Sequence, residues 1–165
     1  VIVVARLAAV LLVAGLIGCG ATTTAAPAAP TQTAAPHSCY LVAATYPDPA
    51  CTPGATNPAV RQDTLSATVC QPGWSDKQRP NLTTVKRERM AAYGVSGSSK
   101  FELDHLIPIS VGGALSDTRN LFPEPWNGPH GAHAKDVIED RVHRQLCAGQ
   151  LSLVDAQQVF IRGDW

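Results

Sequence analysis

From Glu102 to Gly113 the chain reads ELDHLIPISVGG, and Asp104-His105 is the pair within it that could do chemistry. On an extended chain neighbouring side chains leave opposite faces, so the two are suited to separate tasks. One would bind a metal ion while the other handles a proton, a role for which an imidazole titrating near neutrality is fitted. By itself an Asp-His pair is commonly a turn or a surface hydrogen-bonded pair. Its surroundings add weight: a double glycine follows at 112 and 113, Asn120 comes fifteen residues after His105, and a helical pattern comes after that.

Those surroundings define the elements that must position the pair. Residues 101–109 have strand composition, with Pro108 ending a clean ladder, and Gly112-Gly113 marks a turn or loop. Residues 120–122 read as a second short strand, followed by the loop FPEPWNGPHG. From 132 to 147, Ile138, Val142 and Leu146 recur every four residues, which predicts an amphipathic helix closed by Gly149. Ser152 to Asp155 resembles a capping box and opens a last helix through about 161. Upstream, 84–93 predicts a helix with Asn81 or Thr83 as N-cap and Gly94 as its stop, leaving Lys86, Arg87 and Arg89 largely outward. Residues 37–71 are rich in proline and turn formers, so loops with at most short strands are expected.

The run Asp104-His105, Pro108, Gly112-Gly113 and Asn120-Leu121 resembles the HNH (ββα-metal) nuclease motif. It is similar in particular to exported bacterial HNH-like proteins with DHLIP, GG and NL(W/F)PEP followed by a KD-x-x-E helix, here Lys135-Asp136 and Glu139. The likeness covers about residues 51–165. It implies an α+β fold with a ββα-metal core over 101–147, flanking helices and a disulfide-held N-terminal loop region. It further implies a metal-dependent endonuclease hydrolysing phosphodiester bonds of DNA, with RNA as the alternative. His105 matches the general base that takes a proton from the attacking water. Asp104 matches a metal ligand whose carboxylate suits Mg²⁺, and Asn120 matches the asparagine whose amide fastens the loop and orients the histidine. At the third position the sequence offers Asn127, His130, His133 and Asp136; His133 is preferred and Asp136 next. An imidazole ligand there would bring Mn²⁺ or Zn²⁺ into play beside Mg²⁺. Lys135 reads equally as a phosphate contact or a solvated charge, and the three tryptophans read as packing rather than as stacking platforms. Two other classes stay open: a non-catalytic extracytoplasmic metal- or ligand-binding lipoprotein module on the same scaffold, and a hydrolase of another phosphoester.

At 165 residues, with 13 Lys+Arg against 13 Asp+Glu, the chain suits one domain and carries no strong overall field, so a polyanion would have to be held by a local patch. Residues 1–18 read as a signal peptide whose apolar segment from Leu7 to Ile17 is short for a bilayer span. Leu16-Ile17-Gly18-Cys19 resembles a lipobox, which implies lipidation at Cys19 and a membrane anchor, with plain secretion as the alternative. Residues 19–36, nearly all Ala, Thr and Pro, form a tether, and 37–165 the domain. Setting Cys19 aside leaves Cys39, Cys51, Cys70 and Cys147, an even set fitting an oxidising compartment. With no C-x-x-C spacing a zinc knuckle is excluded. Three connectivities are open, and Cys39–Cys51 with Cys70–Cys147 is favoured. No protein partner is deducible.

Overall fold

The computed structural model describes residues 38–96 and 98–165. The signal segment 1–18, Cys19 and the tether through residue 36 lie outside the described residues. Within them the architecture is α+β, with two small antiparallel sheets. The first is the hairpin of β1 (Leu41–Val42) and β2 (Tyr46–Pro47). A six-residue 3₁₀ segment (Gln62–Ala67), a short α1 (Trp74–Gln78) and α2 (Thr83–Ala92) follow. The second sheet pairs β3 (Phe101–His105) with β4 (Leu121–Pro125), and α3 (Ala132–Cys147) and α4 (Leu153–Arg162) complete the chain.

The core forms where the periodic apolar positions predict it. Phe122 of β4, Leu106, Ile107 and Val111 after β3, Val142 and Leu146 of α3, and Ala156 and Phe160 of α4 are all buried in one cluster. The cap of α4 is the predicted one, with Ser152 Oγ accepting from the Asp155 N–H at 3.1 Å. Gly94 takes the left-handed conformation after α2, with φ +61°. Three expectations differ. The strand expected over 101–109 ends at His105, because Pro108 cannot donate to a ladder and Ile109–Val111 turns into a 3₁₀ helix. Arg89 does not point outward: its Nε donates to the Leu121 carbonyl at 2.9 Å, its Nη2 to Thr52 Oγ1 at 3.0 Å, and its guanidinium lies 5.1 Å from the Tyr93 ring centroid. It thereby ties α2 to the start of β4. Lastly, the segment 37–71, expected to hold loops and short strands, also contains the Gln62–Ala67 3₁₀ turn, and α1 forms just beyond it.

Cys39 is bonded to Cys51 and Cys70 to Cys147, the connectivity favoured on sequence grounds. The first pins the β1–β2 region beside α2, where the Cys39 N–H also donates to the Ala92 carbonyl at 3.1 Å. The second spans 77 residues and joins the segment before α1 to the end of α3. In chain-entropy terms closing a loop of that size stabilises the fold by about 4 kcal/mol. Among the described residues no helix is long and apolar enough to cross a membrane.

Candidate active site

The register of β3 and β4 sets the first part of the site. Glu102 faces Glu124 directly across the ladder and Asp104 lies two residues along from Glu102. Residues at i and i+2, and directly opposed partners, share one face of a sheet. One carboxylate oxygen from each of Glu102, Asp104 and Glu124 accordingly lies within 4.8 Å of the others. Three carboxylates this close cannot all stay ionised without a cation.

The start of α3 supplies one. Lys135 is 0% exposed, its Nζ is bonded to Asp104 Oδ2, and it stands 3.5 Å from Glu124 Oε2. Burial alone would lower the lysine's pKa, but Asp104, Glu124 and Glu139 more than reverse this and keep it charged. Burial likewise pushes the Asp104 carboxyl up, yet the Lys135 ammonium, through its charge and its hydrogen bond, holds it well below the usual carboxylate range. Glu124 takes the opposite state. It is fully buried, neither of its oxygens accepts a hydrogen bond, and burial pushes its pKa up to about 9. At neutral pH the cluster therefore contains an ionised Asp104, an ionised Lys135 and a neutral Glu124 acid. Glu102, half-buried at the cleft, is raised to about 7, by burial first and then by Asp104. Ser110 Oγ donates to Glu139 Oε1 at 2.7 Å and anchors the next turn of α3 to the loop after β3.

His105 closes β3 and is 6% exposed. Its Nε2 lies 3.0 Å from the Leu115 carbonyl oxygen. A carbonyl only accepts, so Nε2 carries the proton and the neutral ring keeps its lone pair on Nδ1. Nδ1 is 3.9 Å from Asp104 Oδ1, beyond hydrogen-bond range. Burial pulls the His105 pKa below its ordinary value, partly countered by the Leu115 bond, which favours the neutral, proton-accepting form.

The loop presenting Leu115 is held by Asn120. Its amide accepts from the Ile107 N–H at 2.9 Å and donates to the carbonyls of Ile107 at 2.9 Å and Ala114 at 3.1 Å, all in a fully buried position. The double glycine is what lets the loop approach so closely. A Cβ at Gly113 would sit 1.8 Å from the Ile107 carbonyl oxygen and 2.8 Å from Asn120 Nδ2, while Gly112 adopts φ +83° against Val60. Gly113 therefore admits no side chain without moving backbone.

Glu102, Asp104 and His105 line an open cleft of about 380 Å³, whose other walls include Arg79, Pro80, Leu82, Thr83, Lys86 and Trp126. Of the third-position candidates, Asp136 stands near enough to Glu102 to push the Glu102 pKa further up. His133 and Asp136 are exposed on α3 and contribute no atom to the carboxylate group; the His133 ring packs 5.8 Å from that of Trp126. Asn127 lines a neighbouring depression, and the His130 ring meets the edge of Trp165. The α3 residue that reaches Asp104 is Lys135, neither a solvated charge nor placed to grip a phosphate. Glu102 was readable in principle, since strand alternation puts it on the Asp104 face; Glu124, which joins only through the register with β4, and Lys135 carried no such signal.

Carboxylate oxygens are hard ligands of the kind Mg²⁺ and Mn²⁺ prefer. Asp104 Oδ2 is taken by Lys135, so Asp104 Oδ1 and Glu102 are the oxygens that could hold such an ion at the cleft. No family model, curated protein or solved structure matches this chain.

Proposed function

We propose that the protein is a metal-dependent endonuclease of the HNH (ββα-metal) kind that hydrolyses DNA phosphodiester bonds, with His105 as the general base. The observation that carries this reading is the His105 ring. Its Nε2 is committed to Leu115, leaving Nδ1 basic, next to the ionised Asp104 and on a cleft that also presents Arg79 and Lys86. In this reading Nδ1 takes the proton from a water attacking phosphorus, the fixed ring geometry orients that water, and the P–O bond to the leaving sugar oxygen breaks as that oxygen takes a proton from solvent. Asn120 acts through the loop, by holding the Leu115 carbonyl in place. Lys86 and Arg79 draw the anionic strand to the cleft. A divalent ion held by Asp104 and Glu102 would supply charge stabilisation for the phosphorane-like transition state.

We further propose that this chemistry operates outside the cytoplasm, with the domain tethered through Cys19; the two disulfides support the compartment. Plasmid nicking with added Mg²⁺, Mn²⁺ or Zn²⁺, with EDTA and Asp104→Ala as controls, tests the nuclease reading. Nicking that needs metal and is lost in Asp104→Ala is expected. A folded, disulfide-bonded protein that nicks under no metal overturns it. The second reading, a non-catalytic module that keeps the scaffold, is favoured by one observation: Lys135 already neutralises Asp104, which leaves that carboxylate less charge to offer a metal ion. It would be adopted if the folded protein cleaved under no metal.

A further inference from the structure

Trp126 follows β4 and borders two depressions at once. On one side is the cleft of Asp104, His105, Arg79 and Lys86, and on the other a depression reached by Lys100 and Asn127. An aromatic ring between two cation-bearing hollows is the arrangement that binds single-stranded nucleic acid, where phosphates track the basic groups and bases stack on the ring. The mount is rigid. The Trp126 N–H donates to the Lys100 carbonyl at 3.2 Å, its carbonyl accepts from the His133 N–H at 3.3 Å, and the half-buried indole is backed by the His133 ring. Three residue steps along β3 lead from Phe101, which pairs with Pro125 beside Trp126, to Asp104. At about 3.3 Å per residue this is roughly 10 Å, within reach of a base adjoining the scissile phosphate. The other two tryptophans are placed differently: Trp165 is buried against Tyr46 and Phe160, and Trp74 packs on the core from α1.

We propose that Trp126 is a base-stacking platform that selects single-stranded or locally unpaired nucleic acid, whose backbone runs from Arg79 and Lys86 past the ring to Lys100. The inference rests on the nuclease reading for its biological sense, but its test does not need cleavage. In a His105→Ala background, fluorescein-labelled single-stranded DNA, single-stranded RNA and duplex DNA of one sequence are titrated by anisotropy, and tryptophan emission is followed in parallel with unlabelled oligonucleotides. Single strands should bind more tightly than duplex. Trp126→Ala should weaken single-strand binding by about 5- to 100-fold while Trp126→Phe retains most of it, as expected for loss of one stacked base. Single strands should quench the emission, and the quench should vanish in Trp126→Phe and persist in Trp165→Phe. The DNA and RNA arms identify which strand is preferred. Unchanged binding in Trp126→Ala, tighter binding of duplex, or a quench that survives Trp126→Phe overturns the proposal. Nicking by the wild type without Trp126-dependent binding rejects this inference alone. Trp126-dependent binding without any cleavage rejects the nuclease reading alone.

Discussion

At the scale of single residues, the site is defined by how burial divides protons among neighbouring groups. Lys135, fully buried, is neutralised by the half-buried Asp104, and removing the partner of a buried charge typically costs about 3–5 kcal/mol. Lys135→Met should lower stability by that order in denaturant unfolding, and Asp104→Asn in the same chain should recover part of the loss. Glu124 behaves in the opposite sense. Its folded pKa of about 9 lies above its unfolded value, so the folded state holds a proton that the unfolded chain has released. Stability therefore falls as pH rises from about 4.5 towards 9. Glu124→Gln, which mimics the neutral acid, should flatten that decline and raise the melting temperature at pH 8; an unaltered pH–stability slope would show that Glu124 is ionised in the fold. Asp104 and His105 could be picked out of the sequence because residue type and neighbourhood converge on them. Lys135 could not, since a lysine on the first turn of a helix is ordinarily solvated, and its burial depends on two strand carboxylates far away in the chain.

At the scale of elements, α3 and α4 were legible to within a residue or two, because their apolar repeats coincide with the faces that pack in the core. The β3–β4 hairpin was legible in kind but not in length. The register that brings Glu102, Asp104 and Glu124 together follows from pairing across a long connection, and no local pattern encodes it. The elements hidden from the sequence, α1 and the Gln62–Ala67 turn, are too short to show a period. The loop between β3 and β4 is held by Asn120 and by the absence of a side chain at Gly113. Gly113→Ala should displace the Ile107 carbonyl, break the Asn120 contacts and release Leu115 from His105. The expected outcome is a loss of about 2 kcal/mol or more in stability together with a fall in nicking; wild-type behaviour in both would mean the loop tolerates the shift.

At the scale of the whole molecule, a domain of modest core relies on two covalent ties, and the long one is the larger contributor. Replacing Cys70 and Cys147 together by serine should cost about 2–5 kcal/mol, read from the urea midpoint, whereas a smaller loss is expected for the 12-residue Cys39–Cys51 loop. With balanced charge, the proposed nuclease would have to hold nucleic acid by the cleft and not by the molecule's overall field, so affinity should fall with salt by the few phosphate contacts the cleft can offer. The central claim is that the neutral imidazole of His105 is the base. The most direct measurement is the single-turnover nicking rate at saturating metal from pH 5 to 9, in the wild type and in His105→Ala. A lowered His105 pKa keeps the base form available down to mildly acidic pH. The wild-type rate should rise through the acidic range as His105 loses its proton and be level by about pH 7. His105→Ala should be slower by about 10²–10⁴-fold throughout, with its circular dichroism and metal binding unchanged. A His105→Ala protein that nicks at the wild-type rate with the same pH profile would contradict the account.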